Sequence, residues 1–266
     1  LFEQPFFVTE GEGGLQLGAE SFPVPGQRQP SLRPRARFTP PSAIQGDPFG
    51  HAVCFVRNGR LTDTRCEDRP LLVRQPNLEF ELDRDRAYAP ATAEYGLDLS
   101  TLRPTAQIAQ VERTARPIRA ILDPDYARFS DGGRGPSLNG QTVVRGALPA
   151  LADPALTAEY VETTFAFVPS SEQPYSRPPV VTGSFSGMDP ARGTTMEWNA
   201  RRGRYEGTVL LKQGQYQYFY AAEDPAFAEQ LRRNQSPLAS TYTAFVYYRD
   251  ARRNTDRLLQ VGGLRR

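Results

Sequence analysis

Short stretches of the chain alternate between apolar and polar residues. The clearest is NLEFELDRDR, in which Leu78, Phe80 and Leu82 fall on one side and acidic residues on the other. Because successive side chains of a β-strand point to opposite faces of a sheet, this spacing predicts a strand with one buried face. Similar runs rich in Val, Phe, Tyr and Thr recur to the end of the chain, so the pattern indicates an all-β protein.

The stretch YEGTVLLKQGQYQYFY, residues 205–220, predicts two strands closed by a tight turn. Residues 212–214 would form that turn, with Gly214 taking the positive φ that short hairpin loops require. Lys212 would then project into water, and we expect no functional role for it.

Three tyrosines, Tyr216, Tyr218 and Tyr220, share one face of the second of these strands. They fit a packed core, a contact surface for another protein, or a platform on which sugar rings stack, with Trp198 as a fourth ring. The opposite face carries two glutamines and is the more polar one, so the pattern favours an inward orientation of the tyrosines.

Composition and length set the number of domains. The 266 residues include 24 Pro and 22 Gly, a density that interrupts long helices and suits short strands joined by turns. Two domains of ordinary size fit into this length. We expect two immunoglobulin-like β-sandwich domains in tandem, at residues 15–124 and 159–266, with a linker at 125–158; residues 1–14 would be the end strand of a preceding domain and a further linker.

Cys54 and Cys66 are the only cysteines, which excludes a zinc site of four thiolates. They form either a disulfide or two free thiols. Export from the cytoplasm would favour the bridge. A hairpin turning at residues 58 and 59 would instead place Cys54 opposite residue 63. For an exported protein we nevertheless expect Cys54 and Cys66 to be bridged.

Charge and motifs exclude several classes of function. The net charge is +2 and arginines are interleaved with acidic residues, so no nucleic-acid partner is expected. No apolar run reaches the roughly 20 residues of a transmembrane helix. His51 is the only histidine, and no nucleophile motif lies near it, so we predict no enzyme. Same-face carboxylates on an extended strand are about 7 Å apart, which disfavours a calcium site, and no other metal or cofactor is expected.

Longer motifs in the C-terminal part resemble known families. VVTGSFSGMD, followed by MEWNARRGRYEGTVLLKQGQYQYFYA, is similar in layout to early-set, glycogen-binding immunoglobulin-like domains. LLKQGQYQYFY, followed later by TAFVYYRDARRNTDRLLQVGG, resembles the C-terminal signature of the type IX secretion system plug protein family of the Bacteroidota. LFEQPFFV resembles the last strand of that family's first domain, which the chain lacks.

The plug-family resemblance implies a periplasmic, non-catalytic protein associated with the outer membrane. Its partner would be the translocon barrel of that membrane, whose periplasmic opening it would close. A glycan-binding module of the periplasm or cell surface is the alternative. The resemblance assigns no contact role to individual residues, so the candidate surface is a set of aromatic side chains: Trp198, Tyr216, Tyr218, Tyr220, Tyr247 and Tyr248.

Overall fold

The computed structural model describes residues 7–25, 30–89, 94–127, 138, 140–146, 153–171, 173–224, 227, 230 and 240–266. Within these residues the protein is all-β, as predicted, and α1 (Pro154–Thr157) is a single helical turn. The chain divides into two compact units. Unit 1 comprises Leu1–Ala91 and Ala239–Arg266, and unit 2 comprises Thr92–Leu238.

Unit 1 is a sandwich of two antiparallel four-stranded sheets. Its strands are β1 (Gly14–Phe22), β2 (Ser31–Thr39), β3 (His51–Arg57), β4 (Arg65–Glu67), β5 (Leu72–Arg74), β6 (Asn77–Glu81), β18 (Thr241–Asp250) and β19 (Thr255–Arg265). One sheet has the order β1-β2-β6-β5 and the other the order β19-β18-β3-β4.

Apolar and polar residues alternate within the strands of unit 1, and the apolar ones form its core. In β2, Ala36 and Phe38 are buried while Arg35 and Arg37 are exposed. The inward side chains of both sheets form one cluster, in which Phe38 packs with residues such as Phe55. The strand predicted from NLEFELDRDR is β6, and it has the expected buried and solvent-facing sides.

Unit 2 is a second sandwich. Its strands are β7 (Tyr95–Asp98), β8 (Ile108–Glu112), β9 (Ile118–Leu122), β10 (Asp125–Tyr126), β11 (Val143–Val144), β12 (Tyr160–Val168), β13 (Val180–Gly183), β14 (Thr194–Thr195), β15 (Glu197–Asn199), β16 (Arg204–Lys212) and β17 (Gly214–Ala221). One sheet has the order β15-β16-β12-β9-β8 and the other β11-β17-β13-β14, with β7 also paired to β17. Most pairs are antiparallel, but β12 runs parallel to β9 and β10.

The observed boundaries differ from the predicted domains. The last two strands were expected in the second sandwich, yet β18 pairs with β3 of unit 1. The segment from β7 to β9 was expected in the first sandwich, yet it belongs to unit 2. The predicted linker contributes β10 and β11 to the sheets of unit 2, and much of its remainder lies outside the described residues.

The N-terminal segment also differs from its prediction. Residues 1–6 lie outside the described part, and the segment that follows pairs with β19. The backbone N–H groups of Glu10 and Glu12 donate to the carbonyls of Leu258 and Leu259, each at 3.0 Å. Residues 10–12 therefore extend the edge of a unit 1 sheet and do not act as a linker.

The predicted hairpin at residues 205–220 is wrong. Strands β16 and β17 do form, but they lie in opposite sheets of unit 2 and do not pair with each other. Strand β16 pairs with β12 and β15, whereas β17 pairs with β7, β11 and β13. Gln213 is the single residue at which the chain crosses from one sheet to the other. We call the part of unit 2 around this residue the crossover end.

Candidate functional site

The three tyrosines of β17 lie in the core of unit 2. Tyr216, Tyr218 and Tyr220 are 2%, 5% and 2% exposed. The ring centroid of Tyr218 is 4.9 Å from that of Phe165, and the centroid of Tyr220 is 4.7 Å from that of Phe167. The inward interpretation is therefore confirmed, and these rings offer no exposed face on which a sugar could stack.

The tyrosine hydroxyls are satisfied inside the protein. Tyr218 and Tyr220 both donate to Oδ2 of Asp125, at 2.8 and 2.7 Å, and Tyr216 donates to the carbonyl of Lys212 at 2.5 Å. Burial raises the pKa of Tyr216 and of Tyr220 above the usual value for a phenol, so both remain neutral donors at physiological pH. These polar contacts bind β17 to the opposite sheet.

Trp198 is half-buried against the same core. Its ring lies edge-on to Tyr205, with 5.0 Å between centroids. Tyr205 in turn stacks on Tyr175 at 5.8 Å, and its hydroxyl accepts a hydrogen bond from the backbone N–H of Tyr175 at 2.6 Å. The indole is thus held within an aromatic stack of unit 2.

Tyr247 and Tyr248 belong to unit 1, on β18, and both are half-buried. Tyr248 packs against the core of that unit, and its ring lies 5.0 Å from the His51 ring. The six predicted aromatic residues are consequently divided between two units, four in unit 2 and two in unit 1.

Cys54 and Cys66 form the disulfide. They are direct partners across β3 and β4, so the predicted register was wrong and the bridge itself is confirmed. The connection between the strands is longer than a tight turn and contains a 3-10 turn, Leu61–Asp63, which shifts the pairing. The bridge fixes the edge strand β4 to the sheet.

His51 is buried in unit 1. Its Nδ1 lies 2.9 Å from the carbonyl of Asp47, while its Nε2 has no hydrogen-bond partner among the residues that the structure describes. Burial lowers the pKa of this imidazole. In the described ranges, no group of three or more His, Cys, Asp or Glu side chains is placed to hold a metal ion.

The crossover end contains a cavity of about 290 Å³. Its lining comes from segments that are far apart in the sequence: Thr101, Leu102, Arg113, Ile118, Thr157, Glu159 and Gln213. The cavity could not be predicted from the sequence, because no local motif joins these segments. Gln213 is the residue that could have indicated it, since it is a polar residue between two strands with strong apolar patterns.

Gln213 forms the polar part of the cavity wall and is only 4% exposed. Its amide oxygen accepts from the backbone N–H of Glu159 at 2.9 Å, and its amide nitrogen donates to the carbonyl of Ser100 at 3.3 Å. Its own backbone N–H donates to the carbonyl of Glu159 at 2.8 Å. The side chain therefore holds three segments of unit 2 together.

Apolar side chains are exposed around this end of unit 2. Tyr160 and Leu210 are 45% and 57% exposed. They are diagonal neighbours on adjacent strands, because Tyr160 pairs with Lys212 and Leu210 pairs with Glu162. Leu156 of α1, which precedes the cavity-lining Thr157, is 84% exposed. Exposed apolar groups of this kind are typical of protein contact surfaces when they adjoin one another.

No helix among the described residues has the length and apolar character needed to cross a bilayer. No protein-family model and no curated protein matches the sequence. A solved structure of a hypothetical protein from Parabacteroides merdae ATCC 43184 is similar, with a TM-score of 0.68 and 18% sequence identity. The match covers 95% of this chain and spans 65% of the other chain's length. At this identity the similarity shows the fold, and it supports the β-sandwich architecture.

Proposed function

We propose that the protein is a non-catalytic periplasmic subunit of the type IX secretion system that plugs the periplasmic opening of the outer-membrane translocon barrel. The sequence basis is the resemblance of residues 160–266 to the plug family. The part of that signature at LLKQGQYQYFY spans the end of β16, the crossing at Gln213 and most of β17. Its buried tyrosines and glutamine serve the fold of unit 2, so contacts with a partner are expected on the outside.

The observation that carries the proposal is a pair of exposed apolar side chains at the crossover end, Tyr160 and Leu210, which share their sheet face with Lys212 and Glu162. Tyr160 and Leu210 lie on the outer face of a sheet, where charged or polar residues would be the usual choice. Leu156 adds a third exposed apolar side chain nearby in the chain. Covering such side chains with a partner would remove apolar area from water, which favours association.

The glycan-binding alternative is not favoured. It required the rings of Tyr216, Tyr218 and Tyr220 at the surface, and all three are buried. Trp198 is held by its contact with Tyr205 and is half-buried, so it offers one partly exposed ring and no row of rings.

The proposal is tested by affinity capture from detergent-solubilised outer membranes, with the tagged chain as bait. We expect the barrel to be enriched, and we expect the double variant Tyr160→Arg, Leu210→Arg to reduce its recovery by about tenfold, equivalent to about 1.4 kcal/mol. Phe49→Arg is the matched control, because Phe49 is 65% exposed but belongs to unit 1. Recovery of the barrel no greater than on beads without bait would refute the proposal.

A further inference from the structure

We propose that the protein forms a weak dimer in which β1 of unit 1 pairs with β1 of a second copy. The two strands run antiparallel about a two-fold axis at Gly18, and the two four-stranded sheets that contain them join into one continuous sheet. The proposal rests on unit 1 alone and is independent of the proposed plug function.

Strand β1 is a long and regular edge strand. In the described part of the chain it pairs with β2 on one side only. All 9 residues of β1 pair in one uninterrupted register, and the strand contains one charged residue, Glu20, and no proline. Edge strands usually prevent further pairing by being short, bulged, proline-containing or strongly charged. Because β1 has none of these features, its edge can accept another strand.

The other edges of the described sheets are protected. In unit 1, β4 and β5 have 3 residues each, and the side chain of Arg86 donates to the carbonyl of Cys66 on β4 at 2.6 Å. Strand β19 is long, but residues 10–12 already pair with part of it. In unit 2, β11, β14 and β15 have 2 or 3 residues, and β8 has a register shift between Ile108 and Gln110. The contrast identifies β1 as the open edge.

Strand β19 of the other sheet lies near β1 but does not close its edge. Leu15 and Leu17 point to the core of unit 1 and approach Gly262 of β19, since a Cβ on Gly262 would lie 2.9 Å from Cδ2 of Leu15. Among the described strands, β1 and β19 belong to different sheets and share no ladder. The two strands therefore meet through inner-face side chains, and the outer backbone groups of β1 remain available for a new ladder.

The charge on β1 selects one register with a second copy. With Gly18 at the axis, Glu20 lies opposite Gln16 of the second copy. Gln16 is exposed and has no side-chain partner in the described part of the chain, so its amide can donate to that carboxylate. Glu20 accepts from Arg33 and Arg35, which leaves acceptor capacity on its two oxygens. A register with Glu20 opposite Glu20 would place like charges together, which destabilises a strand pair.

The remaining side chains of β1 are also complementary in this register. On the inner face, Leu17 lies opposite Ala19 of the second copy and Leu15 lies opposite Ser21, so large side chains face small ones. On the outer face the two copies of Gly18 meet, where a Cβ would have no heavy atom within 4 Å in the single chain. Because the contact is the same on both copies, it is complete in a dimer and does not propagate into a fibre.

The first experiment measures self-association of the purified chain by sedimentation equilibrium. A contact made by one strand edge buries less area than the interfaces of stable dimers, so we expect a Kd of about 10–100 µM. A concentration range of about 5–500 µM brackets this value. We expect an equilibrium between monomer and dimer. A single monomeric species over the whole range, or assembly into larger species, would overturn the proposal.

Two substitutions of Gln16 test the register at low salt. Gln16→Lys places opposite charges across the interface twice in each dimer and should lower the Kd about threefold or more, whereas Gln16→Glu faces Glu20 and should raise the Kd by a similar factor. Within one chain Gln16 lies opposite Arg37, so the same two changes should affect the free energy of unfolding in the opposite order. An altered fold therefore cannot explain the expected result. Equal Kd values for the two variants would overturn the proposal.

Gly18→Lys and Gly18→Asp test the position of the axis. Each variant brings two like charges together and should raise the Kd about tenfold or more, and an equimolar mixture should regain association as a mixed dimer. Gly263→Lys is the control, because a Cβ at Gly263 also has no heavy atom within 4 Å. Undiminished association of the separate Gly18 variants, or no gain on mixing, would overturn the proposal. If either variant loses its circular dichroism spectrum, the comparison at Gln16 decides.

Discussion

Gln213 and Glu159 are joined by two hydrogen bonds, one from each backbone N–H. The N–H of Gln213 donates to the carbonyl of Glu159 at 2.8 Å, and the N–H of Glu159 donates to the side-chain oxygen of Gln213 at 2.9 Å. Gln213 is where the chain leaves one sheet for the other, and its backbone is paired on both sides, because its carbonyl also accepts from the backbone N–H of Arg145 at 3.1 Å. Its side chain satisfies two further backbone groups, the N–H of Glu159 and the carbonyl of Ser100.

Replacing this amide should destabilise unit 2. Gln213→Leu leaves the part-buried N–H of Glu159 and the buried carbonyl of Ser100 without their partner. We expect the free energy of unfolding to fall by about 2–3 kcal/mol, measured by urea denaturation. Lys212, which was predicted to project into water, is half-buried with its ammonium 5.4 Å from the centroid of the Tyr160 ring. Lys212→Ala is the neighbouring control and should change the free energy of unfolding by less than about 1 kcal/mol. Equal losses in the two variants would show that Gln213 has no special role in the crossing.

Gly214 should not tolerate a side chain, for a reason other than turn geometry. A Cβ at this position would lie 2.3 Å from the carbonyl oxygen of Val143 and 3.1 Å from the Cα of Val144, which belong to the adjacent strand β11. Backbone atoms cannot move aside as a flexible side chain can. Gly214→Val should therefore cost about 2 kcal/mol or more, read from the urea midpoint. Gly263→Ala, with no heavy atom within 4 Å, should be nearly neutral.

The sequence predicted the strands around this site better than their connection. Alternation of apolar residues located β16 and β17, because each strand has to bury one face. Alternation does not show whether the residues between two strands reverse the chain within one sheet or carry it to the opposite sheet. Both arrangements fit a short segment with a glycine, and only the buried Gln213 distinguishes them.

Domain boundaries were not predictable for a related reason. The pairing of β18 with β3, as between Phe245 and Cys54, joins parts of the chain that are far apart in the sequence. The composition of either segment gives no indication that the two segments pair. The cavity at the crossover end was missed in the same way, since Arg113, Thr157 and Gln213 come together only in the folded unit.

Removing the disulfide should destabilise unit 1. The bridge closes a loop with a sequence separation of 12. On a chain-entropy estimate, a loop of this size contributes about 3 kcal/mol by restricting the unfolded chain. We expect the double variant Cys54→Ser, Cys66→Ser to lose about that amount in urea denaturation, and reductant to lower the wild-type midpoint but not that of the variant. A wild-type midpoint unaffected by full reduction would contradict this prediction.

Mild acid should weaken unit 1 through His51. Burial lowers the pKa of the folded imidazole below its unfolded value of about 6.5, so the unfolded state binds the proton more readily. The contribution of His51 to stability is therefore complete above that pH and decreases as the pH falls below it. His51 is the only histidine, so His51→Gln should reduce this decrease in urea titrations at several pH values. An identical pH slope in the variant would exclude His51 as its source.

The proposed closing of the translocon barrel is measured most directly by ion conductance. Purified barrel is inserted into a planar lipid bilayer, and the chain is added on the periplasmic side. We expect wild-type protein and Phe49→Arg to reduce the current to near its closed level, and the double variant Tyr160→Arg, Leu210→Arg to leave most of it. A current unchanged by saturating wild-type protein would contradict the proposed plug function.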